Sequence, residues 1–84
     1  MRLDKYLKVS RLIKRRTVAQ EAASASRVSV NGKVVKPAYN VKVGDEISIR
    51  FGNSELTVRV LNINEKARRD EAGEMYEVVS EKRD

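Results

Sequence analysis

The apolar spacing of this chain changes period near residue 27, and that change restricts the fold more than any other feature. Before it, apolar residues recur at three- and four-residue intervals. After it, they mostly alternate with polar ones. A helical period and a strand period cannot occupy the same backbone, so the chain must pass from helices into a sheet. With 84 residues there is room for one small core and no second. The expected fold is α+β, with two N-terminal helices packed on a small antiparallel sheet.

The first helix is expected over residues 2–9, where Leu3, Tyr6 and Leu7 share a face and Arg2, Lys5 and Lys8 point away. Tyr6 is expected in the core with its hydroxyl at the surface. Asp4 lies near the positive end of that helix, where a carboxylate is stabilised. Residues 10–14 form a connector whose Leu12 and Ile13 plug the core. A second helix is expected over 15–26, with a narrow stripe of Val18, Ala19, Ala22, Ala23 and Ala25 that permits close packing. Beyond it, Val28 and Val30 alternate with polar residues before Asn31–Gly32, the strongest short signal for a hairpin turn. Asn31 is therefore read as a turn former. Strands follow at Ile47–Phe51 and over 56–63, separated by Gly52–Asn53. Residues 64–74 are charged and lack an apolar face, so a mobile loop is expected there, then a possible last strand over 75–80.

Charge is unevenly placed along the chain. Residues 1–36 hold ten Lys and Arg against two acids, whereas residues 37–84 hold eight against ten, within a total of +6. A concentrated positive segment makes a field that attracts a polyanion. The cations there are Arg2, Lys5, Lys8, Arg11, Lys14, Arg15, Arg16, Arg27, Lys33 and Lys36. Any one lysine reads equally well as a solvated surface charge. The cluster Arg11, Lys14, Arg15 and Arg16 does not, because four cations in six residues repel one another unless a polyanion joins them. Arg15 and Arg16 also open a helix whose N-terminal dipole opposes cations by about 0.3–1 kcal/mol each. A helix start with free N–H groups is a natural phosphate site. Arginine grips phosphate bidentately, which favours Arg11, Arg15 and Arg16 over the lysines. Thr17 and Gln20 can donate to phosphate or ribose, or serve as ordinary surface polar residues. The short, alanine-rich second helix does not suit a DNA major groove, and basic groups bunched at its start suit irregular RNA better.

Other classes of function are disfavoured. The chain has no histidine and no cysteine, so the usual neutral-pH base, thiolate zinc ligands and disulfides are all missing. No cofactor is expected. Gly32 and Gly44 read as turn residues rather than a phosphate loop. No enzyme activity is expected on this inventory. There is neither an apolar leader nor a run of 18 apolar residues, so a cytoplasmic location away from membranes is expected.

Two stretches carry a resemblance to a known family. RLDKYLKVSRLIKRRTVA, and after a gap RVSVNGKVVKPAYNVKVGDEISI, resemble the RNA-binding domain named after ribosomal protein S-four. The combination of R-L-D-K-x-L, a basic helix start, V-x-V-N-G and V-x-x-G-D-E-I is specific, although each alone is weak. The likeness covers residues 1–51 well and 55–63 loosely. It implies two helices on a small sheet, the alpha-L motif, with an S-four-type domain over 1–63 and a charged loop and C-terminal strand or tail over 64–84. Two positions depart from the pattern. Arg15 stands where a Ser or Thr cap is common, and Ser26 stands where Gly is common, which places strain at the helix end.

The run KVSRLIKRRT and the short length look most like the stand-alone RqcP family of Gram-positive bacteria, related to the Hsp-fifteen heat-shock family. The resemblance implies binding to the rRNA of an obstructed large ribosomal subunit carrying peptidyl-tRNA, and a monomer is expected. It implies work beside RqcH, which adds alanine tails to stalled chains. By motif position the family's basic surface falls on Arg2, Lys5, Lys8, Arg11, Arg15, Arg16 and Thr17, with Asp4 orienting Arg2 or Arg16. The rival reading is subunit recycling of the Hsp-fifteen kind, or ribosome assembly.

Overall fold

The computed structural model describes residues 1–66 and 68–83. The chain forms helices α1 (Leu3–Val9) and α2 (Arg16–Ser24), then strands β1 (Val28–Val30), β2 (Lys33–Val34), β3 (Glu46–Phe51) and β4 (Ser54–Val60). A 3-10 helix (Arg69–Glu74) leads into β5 (Tyr76–Arg83). All strand pairs are antiparallel, in the order β2-β1-β3-β4-β5. The two helices and the antiparallel sheet are the α+β arrangement that the period change predicts.

The alternation of the strands turns Val28, Val30, Ile47, Ile49, Val58 and Val60 inward, where Leu3, Tyr6 and Leu7 of α1 meet them. Ile13 plugs the core from the connector, with Leu12 partly buried against it. α2 packs through Ala19 and Ala23, four residues apart and both buried. Val18 and Ala25 of the expected stripe face outward, and Val18 is 44% exposed, because this nine-residue helix fully buries only the line of Ala19 and Ala23.

Asn31 and Gly32 turn with φ of 51° and 85°, the left-handed pair of a two-residue hairpin. Asn31 does more than turn. Its Nδ2 donates to Asp45 Oδ1 at 3.1 Å, and its Oδ1 accepts from the Glu46 amide at 3.0 Å. The Asp45 carboxylate also accepts from the Tyr39 hydroxyl and the Lys42 amide, which fixes the segment leading into β3.

Two expectations are corrected. The Tyr6 hydroxyl does not reach the surface: it is buried and donates to the Met75 carbonyl at 2.7 Å. Burial, with the Tyr76 phenol nearby, pushes its pKa far above that of a free tyrosine. The mobile loop expected over 64–74, whose residue 67 lies outside the described residues, instead contains the 3-10 helix and buries Ala72. Met75 follows it into the core, and its carbonyl also accepts from the Leu61 and Asn62 amides. Charge density hid this segment, since two buried residues suffice to pin it.

Candidate nucleic-acid interface

The two helix starts are finished differently, and the difference places the site. At α1 the amides of Leu3 and Asp4 donate to the carbonyls of Tyr39 and Pro37, at 2.8 and 3.2 Å. The Lys5 amide donates to the Asp4 carboxylate at 2.8 Å. That end is closed. At α2 the N-cap is Arg15, which makes no side-chain cap. The first intrahelical bond runs from the Ala19 amide, so the amides of Arg16, Thr17 and Val18 have no acceptor among the described residues. An open helix start with two arginines at it is an anion-binding geometry.

Asp4 organises the arginines around this opening. Its carboxylate is inaccessible to solvent and collects donors from both helices. Arg2 approaches with Nε and Nη2, both at 3.2 Å. Gln20 Nε2 donates at 3.0 Å, and Arg16 Nε lies at 3.5 Å. Burial pushes the Asp4 carboxyl up, but the hydrogen bonds from Gln20, the Lys5 amide and Arg2, with the Arg16 charge, outweigh it and hold the group below its ordinary value. Arg2 and Arg16 remain 52% and 42% exposed at the side chain. The carboxylate thus aims two guanidiniums without covering them.

The other expected site residues gather around this centre in part. Lys8, Arg11, Lys14, Arg15 and Thr17 are exposed along the end of α1, the connector and the α2 start. None of those four cations has an ion-pair partner among the described residues. Lys5 lies 3.7 Å from Glu65. Gln20 is half-buried with its amide nitrogen held by Asp4, so it ties α2 to α1 rather than facing outward. Arg11 has φ of 63°, at the position after α1 where a glycine commonly sits. Nothing in the sequence around Arg11 signals that backbone, because the connector lacks Gly and Asn. A left-handed non-glycine residue stores backbone strain, here among the exposed cations.

The family model described as S4 domain matches residues 1–47. A protein of Listeria monocytogenes named RQC P-site tRNA stabilizing factor is 55% identical over 83 residues, covering 99% of this chain and 90% of that one. The Bacillus subtilis protein of the same name is 48% identical, covering 99% and 96%. Heat shock protein 15 of Escherichia coli is 38% identical over 96% of this chain and 62% of its own length. A solved structure titled as trimeric heat shock protein 15 of Vibrio cholerae superimposes with a TM-score of 0.86 at 31% identity, covering 95% of this chain and 82% of that one.

Proposed function

Because the chain belongs to the S4 domain family and to the family of the RQC P-site tRNA stabilizing factors, we propose that it is a non-catalytic RNA-binding factor of ribosome-associated quality control. It binds rRNA and peptidyl-tRNA on obstructed large subunits in the cytoplasm. There it supports RqcH-dependent alanine tailing of stalled nascent chains, and it acts as a monomer. Among the described residues no helix is long and apolar enough to cross a membrane.

The observation that carries this reading is the Asp4 centre. It presents Arg2 and Arg16 beside the open start of α2, with Lys8, Arg11, Lys14, Arg15 and Thr17 around it. A phosphate there would meet backbone amides and guanidiniums together. The mechanism is bridging: the arginines clamp backbone phosphates where rRNA and tRNA meet and hold the tRNA in place. If six phosphates are neutralised, the logarithm of affinity should fall with that of salt at a slope of about −4 to −5.

The test is co-sedimentation of Arg16→Glu with large subunits over a salt series. A charged contact to phosphate is worth about 1.5–3 kcal/mol, so affinity should drop by about 10- to 100-fold. Undiminished association, or a slope near zero for the unaltered protein, refutes the proposal. Likeness to heat shock protein 15 supports the recycling reading as the rival. Particles purified with the tagged protein separate the two: peptidyl-tRNA with RqcH favours quality control, and subunits without RqcH favour recycling.

A further inference from the structure

Opposite charges face each other across this sheet wherever charged residues meet in register, with one exception. Glu46 faces Arg59 and Arg59 faces Glu77; Arg50 faces Glu55 and Glu55 faces Lys82. The exception is Arg27. The β1–β3 register pairs Val28 with Ile49, and the Arg50 amide donates to the Arg27 carbonyl at 2.9 Å, so the two arginines lie directly opposite. Like charges in that position repel. Among the described residues neither has an ion-pair partner. Both are exposed, and both line a shallow groove with Ser26, Ser29, Ser48 and Glu55.

The position of this pair matters as much as its charge. Arg27 follows directly on the end of α2, where its amide donates to the Ala22 carbonyl. The α2 helix of nine residues spans about 13 Å, so Arg27 and the Arg16 centre sit at its two ends. A factor that steadies one RNA against another needs two grips that face apart. The helical centre supplies one.

We propose that Arg27 and Arg50 form a second phosphate-binding site, which holds the backbone of a second RNA while the Arg16 centre holds the first. This rests on the reading that the protein binds rRNA and tRNA together. Two adjacent guanidiniums grip a phosphate from two sides, and a bound phosphate removes their repulsion. The hydroxyls of Ser29 and Ser48 lie beside them in the groove. Lys82 extends the row by one more cation beyond Glu55. An acidic peptide fits this groove less well, because its lining residues other than Val34 are charged or carry hydroxyls, which leaves no apolar pocket for a peptide side chain.

The test compares vacant large subunits with large subunits bearing peptidyl-tRNA. The unaltered protein is expected to bind the tRNA-bearing particles more tightly, and equal affinity for both overturns the inference. Arg27→Gln combined with Arg50→Gln should keep affinity for vacant subunits within about twofold. It should lose most of the added affinity for tRNA-bearing ones, with the salt slope on those falling by about 1–2. Its thermal midpoint should hold or rise, since the substitution relieves repulsion. Arg50→Gln alone guards against a folding defect and should show a smaller loss of the same selective kind. Unchanged binding to both particles overturns the proposal, as does an equal loss on both. Loss of a co-purified acidic protein with subunit binding intact also overturns it. Arg16→Glu reports on the first site separately: if that variant binds both particles normally, the underlying reading fails whatever the double variant does.

Discussion

The helical and sheet regions of this protein treat their charges in opposite ways. In the sheet, Arg59 bridges Glu46 and Glu77, Arg83 pairs with Glu81, and Arg68 lies at 4.0 Å from Glu71 on the way in. Such exposed pairs contribute little to stability, about 0.2–1 kcal/mol each, but they cancel the local field. In the helices the one buried acid, Asp4, is shared between Arg2 and Arg16, and Lys8, Arg11, Lys14 and Arg15 are left without partners among the described residues. The difference teaches where a ligand belongs. The sheet pairs Arg59 and Arg83 with acids of its own, whereas the helical face presents Lys8, Arg11, Lys14 and Arg15 unpaired among the described residues, which is where the proposed polyanion would dock. Arg27 and Arg50 are the place where the sheet stops following its own rule.

The largest effect should come from removing what joins the two regions. Deleting residues 64–84 takes β5 from β4, Met75 from the core and the acceptor from Tyr6. Loss of a buried methionine side chain alone costs about 2–5 kcal/mol, comparable with the whole stability of a domain this small. The truncated chain should show no cooperative melt by circular dichroism, and a sharp transition would refute the account of that lock.

A charge reversal in each region sharpens the contrast directly. Where Arg16→Glu is expected to weaken subunit binding by 10-fold or more, Arg59→Glu should leave it within about twofold, since screening limits its reach. Equal losses would mean that net charge, rather than a site, governs binding.

Asp4 should give the helical region an acid sensitivity of its own. Its folded carboxyl ionises more readily than an unfolded one, whose value is about 3.9. Its stabilisation is therefore complete above that value and is lost as pH falls through the lower, folded one. Asp4→Asn should cost about 1–3 kcal/mol near neutrality and flatten the acid limb of the stability curve. An unchanged limb would exclude Asp4 as its source.

The smallest effects separate backbone from charge. Arg11 and Ser26 both hold left-handed φ, of 63° and 62°. Ser26 sits after α2 in a Schellman arrangement, with its own amide on Ala23 and that of Arg27 on Ala22. Ser26→Gly should stabilise by about 1 kcal/mol and leave affinity for vacant large subunits within about twofold. Arg11→Gly should also raise the thermal midpoint, yet weaken RNA binding, because it removes strain and a cation together. Parallel behaviour of the two variants would deny Arg11 a part in binding.

Much of this was legible in the sequence, and for one reason: the informative signals are local. The change of apolar period placed helices before strands, and Asn31–Gly32 placed the hairpin. The crowding of Arg11, Lys14, Arg15 and Arg16 located the basic face. Each depends on residues within a few positions of one another, where backbone geometry is set by neighbours. The tertiary structure alone decided what depends on distant residues meeting. Asp4 aims Arg16 and holds Gln20 because two helices cross there. Tyr6 finds Met75 across 69 positions and buries the hydroxyl that its type suggested would stay wet. Arg27 meets Arg50 because of a strand register fixed by which valines and isoleucines face the core. The sequence marked where cations crowd; only the fold decided which of them stand together around Asp4 and which lie opposite one another on the sheet.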